Sequence, residues 1–231
     1  MTKKLMAVAL LLFLPFLPYE ALAAWDLGIN FRNTYNYPTT SDGSAANCLS
    51  STGPAVCSVA ATANYPVSVS TSTAAATNVG WEQAVTGTIN RVAGNDNRLT
   101  GVAYCCNAAG NKDFRIDLPQ ANCSYTIHLA YGDPASLQRV AALAILDTTT
   151  DTGIDIAAQT IASNTFQDAT DVNRSAANWP ANEVGKSYTF TTTILRMRLM
   201  GSALDFDTIA HIRVVQGSCS GTALPRPRVI Q

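Results

Sequence analysis

The sequence is short of charge and nearly bare of histidine. Asp, Glu, Lys and Arg make up 13% of its 231 residues, 15 basic against 16 acidic, with only His128 and His211 besides. So neutral a chain lacks the basic surface that nucleic acid or an anionic membrane attracts, and neither is expected as a partner. Two isolated histidines, with no close Cys/His spacing, exclude a zinc-type site. No phosphate loop, dinucleotide fingerprint or Gly-x-Ser-x-Gly is present. Gly132-Asp133-Pro134 is similar to the start of a Gly-Asp-Ser hydrolase motif, but Pro134 stands where the nucleophile belongs. Without a nucleophile to serve, His128 and His211 read as ordinary strand residues rather than triad bases. The chain therefore reads as non-catalytic. Heptads, repeats and helix-period runs of useful length are missing too, which argues against bundles and solenoids.

What is there begins with Met1-Thr2-Lys3-Lys4, an apolar run from Leu5 to Pro18, and Ala21-Leu22-Ala23. A basic start, a short apolar segment and a small-residue ending make a secretory signal peptide over residues 1–23, cleaved after Ala23. The run falls short of the roughly 20 residues that span a bilayer, so no membrane insertion is expected after cleavage. Removing it takes Lys+Arg from 15 to 13 and Asp+Glu from 16 to 15, a net charge of −2. The expected location is secreted, extracellular or at the cell surface.

All six cysteines, Cys48, Cys57, Cys105, Cys106, Cys123 and Cys219, follow the signal peptide. An oxidising compartment turns such cysteines into disulfides. Cys48 and Cys57 enclose a short polar loop and are expected to pair. Neighbours on a strand point to opposite faces, so Cys105 and Cys106 should take separate partners, leaving Cys123 and Cys219 as their mates in either order.

The chain alternates in the manner of strands. Trp25 to Phe31 puts Trp25, Leu27, Ile29 and Phe31 on one face. Phe114 to Leu118 alternates apolar with charged, and Tyr125 to Tyr131 sets Tyr125, Ile127, Leu129 and Tyr131 opposite Thr126, His128 and Ala130. Val140 to Leu146 is a buried run. Further on, Leu195, Met197 and Leu199 oppose Arg196 and Arg198, and Ile209 to Val215 closes the series. Val79 to Trp81, Val85 to Ile89 and Leu99 to Cys106 supply more short strands, while Asn164 to Thr170 and Asn173 to Asn182 read as loops. From Ser41 to Thr77, 22 of 37 residues are Ala, Ser or Thr. This stretch reads as an irregular insert or arm, with one strand near Pro66–Ser70. The tail 223–231 is extended. Together these predict one all-β domain over 24–231, a two-sheet antiparallel jelly-roll sandwich with an irregular N-terminal arm or insert.

No cofactor is expected. Asp147, Asp151 and Asp155 are the one oxygen-rich stretch that could hold a structural calcium, but their spacing is not that of an EF-hand and a solvated turn is the simpler reading. Sugar binding needs none of the missing motifs. Pyranose C–H faces stack on aromatic rings while the hydroxyls take Asp, Asn or Arg partners. Asn33, Tyr35, Tyr37, Trp81, Asp133 and Trp179 are the candidates for such a site, with Asp96, Arg98 and Tyr104 nearby in sequence.

Lys112 to Pro119 (KDFRIDLP) followed by Ser124 to Asp133 (SYTIHLAYGD) resembles the paired strands of malectin-like, galactose-binding-type jelly rolls. Gly28–Phe31, Val79–Trp81 and Ile209–Val214 are similar to the first strand, an early loop and the last strand of that group. The resemblance implies sugar held by aromatic and acidic residues on loops at one end of the sandwich. Only Asp133 and the loop after Phe31 fall on matching positions, and the 41–77 insert and the vicinal cysteines depart from the pattern. A non-catalytic carbohydrate-binding module is the first expectation, with a glycan as partner. The second is a subunit of an extracellular filament, sheath or appendage that binds other copies of itself through its arm or edge strands. A sugar hydrolase is the third and lacks a nucleophile.

Overall fold

A computed structural model describes residues 25–32, 56–60, 63–71, 76–85, 87–90, 99, 101–105, 110–133, 137–147, 153–178, 184–201 and 207–220. Residues 1–23, read above as a signal peptide, lie outside them, as do Cys48, Cys106, Asp151 and residues 223–231. Among the described residues the regular structure is strand, with a 3-10 turn at Ala176–Asn178 and no α-helix.

Within these residues sixteen strands run in chain order: β1 Asp26–Arg32, β2 Val56–Ala60, β3 Val67–Ser70, β4 Ala76–Trp81, β5 Gly87–Asn90, β6 Gly101–Cys105, β7 Gly110–Asp117 and β8 Cys123–Tyr131. They continue with β9 Gln138–Val140, β10 Ala142–Leu146, β11 Gln159–Ile161, β12 Thr165–Gln167, β13 Asn173–Ser175, β14 Lys186–Phe190, β15 Ile194–Gly201 and β16 Asp207–Cys219. The larger sheet follows the path β13-β12-β8-β16-β1-β2, with β14 beside β8, β6 beside β16 and β5 beside β6. The smaller one runs β10-β15-β7-β4-β3, and β9 pairs with β11 apart from both. The pairings are antiparallel except β1 with β2. β16 is the longest strand and organises the larger sheet: β8 lies along one edge, and β6 and β1 follow one another along the other.

The two sheets bury their apolar faces against each other, as the period-2 patterns require. Leu27, Ile29 and Phe31 from β1, Tyr125, Ile127 and Leu129 from β8, and Ile212 and Val214 from β16 meet Val79, Trp81, Phe114, Ile116, Leu195, Met197 and Leu199 from the smaller sheet. Phe31 packs against Phe114 at 4.8 Å and Trp81 at 5.9 Å between ring centroids, edge-on or tilted, which joins the sheets at their centre. A smaller cluster of Leu99, Val102, Ala130, Phe166, Ala176 and Ala210 gathers around the outward side of the larger sheet.

β7 and β8, adjacent in sequence, lie in opposite sheets, so the stretch from Gly101 to Asp133 crosses the sandwich twice. Two expectations change. The loops expected at 164–170 and 173–182 include β12 and β13, which pair with each other. The described parts of the 41–77 stretch, 56–60, 63–71 and 76–77, belong to the body: β2 pairs with β1, and β3 pairs with β4.

The cysteine reading is corrected. Cys123 bonds Cys219, not Cys105 or Cys106. The reason is register: β8 and β16 are neighbours and place Cys123 opposite Cys219, whereas Cys105 faces Asp207 at the far end of β16.

Candidate functional site

The outward side of the smaller sheet carries a polar network. Alternation on β15 and β7 forces Arg196, Arg198, Asp113, Arg115 and Asp117 outward because their neighbours Leu195, Met197, Leu199, Phe114 and Ile116 fill the core. Register then pairs them. Arg198 lies opposite Asp113 and holds it with two parallel bonds, Nε to Oδ1 and Nη2 to Oδ2, each 2.7 Å. Arg196 lies opposite Arg115, a like-charge pair that needs a counterion. Glu82 supplies it from the end of β4, where its N–H bonds the Asp113 carbonyl. Arg196 donates to both Glu82 oxygens at 2.7 and 3.0 Å, and Arg115 stands 3.5 Å away.

Gly80 sits opposite Arg115 on β4. A side chain there would meet the Tyr65 backbone nitrogen at 2.6 Å, and the φ of +144° also favours glycine. The gap admits Tyr65, whose N–H bonds the Trp81 carbonyl at 2.9 Å. The Arg115 guanidinium lies 4.3 Å from the centre of the Tyr65 ring, and the Tyr65 hydroxyl donates to Asp117 at 2.8 Å. Arg115 Nε and Asn78 Nδ2 also donate to Asp117, at 2.9 and 3.3 Å.

The electrostatics follow from these contacts. The hydrogen bond from Arg196 lowers the Glu82 pKa, against the opposing effect of burial, and both nearby guanidinium charges add to the lowering. Partial burial, the bond to Asp117 and the Asp117 charge raise Tyr65, so its phenol stays protonated and donates. Burial works against the Arg115 charge, but the bond to Asp117 and the nearby acids raise its pKa overall. The result is a charge-balanced face of three guanidinium groups and three carboxylates beside one half-exposed ring.

The residues singled out from sequence are not brought together there. Asn33, Tyr35, Tyr37, Trp179, Asp96 and Arg98 lie outside the described residues. Trp81 is 1% exposed and packs on Phe31 and Phe114, so its ring is core rather than a platform for a ligand. Asp133 is also buried, just past Gly132, whose N–H bonds the Thr208 carbonyl. Tyr104 lies across Gly87 of β5. His128 and His211 stand on the outward side of the larger sheet, opposite Arg213 and Ala130.

The two acids of the calcium reading that are described take protein donors. Asp155 accepts from Lys186 Nζ, the Tyr188 hydroxyl and the Ile145 N–H, linking β14 to β10 across the sandwich. Asp147 accepts from Thr191 and Thr192.

Sequence alone shows Arg196 and Arg198 facing outward but leaves Tyr65, Asn78 and Glu82 unmarked, because only cross-strand pairing brings them to the arginines. The fold and this face define an all-β sandwich with a polar, aromatic-bearing sheet surface. The chain matches no protein-family model and no curated protein.

Proposed function

We propose that the protein is a secreted, non-catalytic carbohydrate-binding module of malectin-like, jelly-roll type that takes its glycan on the outward face of the smaller sheet. The observation that carries the reading is Tyr65, a half-exposed ring set between Arg115 and Asp117, with Asn78 and Glu82 beside it. An aromatic ring offers a pyranose C–H face its stacking partner, while carboxylate, amide and guanidinium groups match hydroxyls as acceptors and donors. The site differs from the end-loop position that the resemblance implies. Screening the mature, oxidised protein on a glycan array tests the function: binding to a defined set of glycans is expected, and silence across the array would remove the reading.

A second reading, a self-assembling filament or sheath subunit, has one observation in its favour. β2 ends the path of the larger sheet and β3 that of the smaller one, and both come from the Ala/Ser/Thr-rich stretch. Edge strands can continue into another copy. Light scattering and negative-stain imaging separate the two readings: polymers of the intact protein favour the subunit, and a monodisperse monomer at high concentration favours the binding module.

A further inference from the structure

We infer that the ligand of this face is a neutral, unsubstituted glycan chain seated over Tyr65, Asn78, Asp117, Arg115 and Glu82, with Arg196, Arg198 and Asp113 as the floor that holds them in place. The inference rests on the carbohydrate reading above and narrows its ligand class.

Accessibility within the network separates the two groups. Asp113, Arg196 and Arg198 side chains are 5%, 11% and 14% exposed, whereas Glu82, Arg115 and Asp117 are 20%, 22% and 26% exposed. The reachable polar atoms therefore gather at the β4/β7 side, around Tyr65. The bidentate Arg198–Asp113 pair on the same face is held by two bonds and poorly reached, as suits a support.

Charge balance then selects the ligand. Each guanidinium is held by a carboxylate, so an anionic sugar must either displace Asp117 or Glu82 or lie against them. A sugar amine meets the opposite problem at Arg115 and Arg196. Neutral hydroxyls fit both kinds of group: they donate to carboxylate lone pairs and accept from the guanidinium and Asn78 N–H groups. The Tyr65 ring is held over one face by Arg115 and at its hydroxyl by Asp117, so little side-chain entropy is lost when a sugar stacks on it.

Affinity electrophoresis of the mature, disulfide-bonded protein tests this. Gels would contain neutral polymers (β-glucan, mannan, galactan), anionic ones (alginate, a sulfated galactan) or cationic chitosan, with Tyr65→Ala and Asn78→Ala run beside wild type after a melting curve confirms that each is folded. The expected result is retardation by at least one neutral polymer, nearly unchanged between roughly 0.05 and 0.5 M NaCl, and about tenfold weaker in each variant. Retention by charged polymers alone, falling steeply with salt, would overturn the ligand class and leave carbohydrate binding standing. Neutral retention that both variants keep at full strength would overturn the location. No retention by any polymer would overturn the inference together with the reading it rests on.

Discussion

Asp147 holds the turn between β14 and β15. Its oxygens accept from the backbone N–H and the hydroxyl of both Thr191 and Thr192. Partial burial pushes its pKa up, but these bonds to the charged form outweigh that and hold it below the ordinary carboxylate value. A folded pKa below the unfolded one stabilises the fold above the unfolded value of about 4, and this contribution is lost as the pH falls through the folded value. Asp147→Asn should therefore lower the urea midpoint at neutral pH and flatten its decline below about pH 4. A decline parallel to wild type would show that the carboxylate contributes nothing through its charge. In the sequence Asp147 looked like a calcium ligand or a solvated turn residue. Its partners lie more than forty positions away, at Thr191 and Thr192, and no local pattern announces them.

At the level of strands, the Cys123–Cys219 bond ties the start of β8 to the end of β16 and closes a separation of 96 residues. Cross-linking distant positions removes conformations mainly from the unfolded chain, worth about 2–5 kcal/mol for a native bond. Replacing both cysteines with alanine should lower stability by about that much, read from urea denaturation; a midpoint unchanged from wild type would mean that strand pairing alone secures this corner. The strands themselves were largely legible. β1, β8 and β15 bury the faces that their alternation indicates, because a period of 2 is a property of the local backbone. β12 and β13 were not, since each is three residues long, too short for a periodic pattern, and they form only where they pair with each other and β12 meets β8.

For the whole molecule, stability rests on the interlock of Phe31 from the larger sheet with Trp81 and Phe114 from the smaller. Phe114→Ala should cost about 3–5 kcal/mol, the transfer of a buried ring plus the cavity it leaves, and should weaken the near-UV aromatic signal. A loss below about 1 kcal/mol would mean that the sheets do not depend on this contact. The same interlock explains why the Trp81 ring is core, although in the sequence it stood among the aromatic candidates for sugar stacking.

The sequence by itself determined that the fold is all-β, which side of each long strand is apolar, and that Arg196 and Arg198 face away from the core. These follow from side-chain alternation, which needs only neighbouring residues. The tertiary structure alone decided that β7 and β8 part into different sheets, that Cys123 meets Cys219, and that Tyr65, Asn78 and Glu82 join Arg115 and Arg196 on one face. Those outcomes depend on which strands become neighbours and in what register. That choice is made when both apolar faces are buried at once, by contacts between residues far apart in the chain.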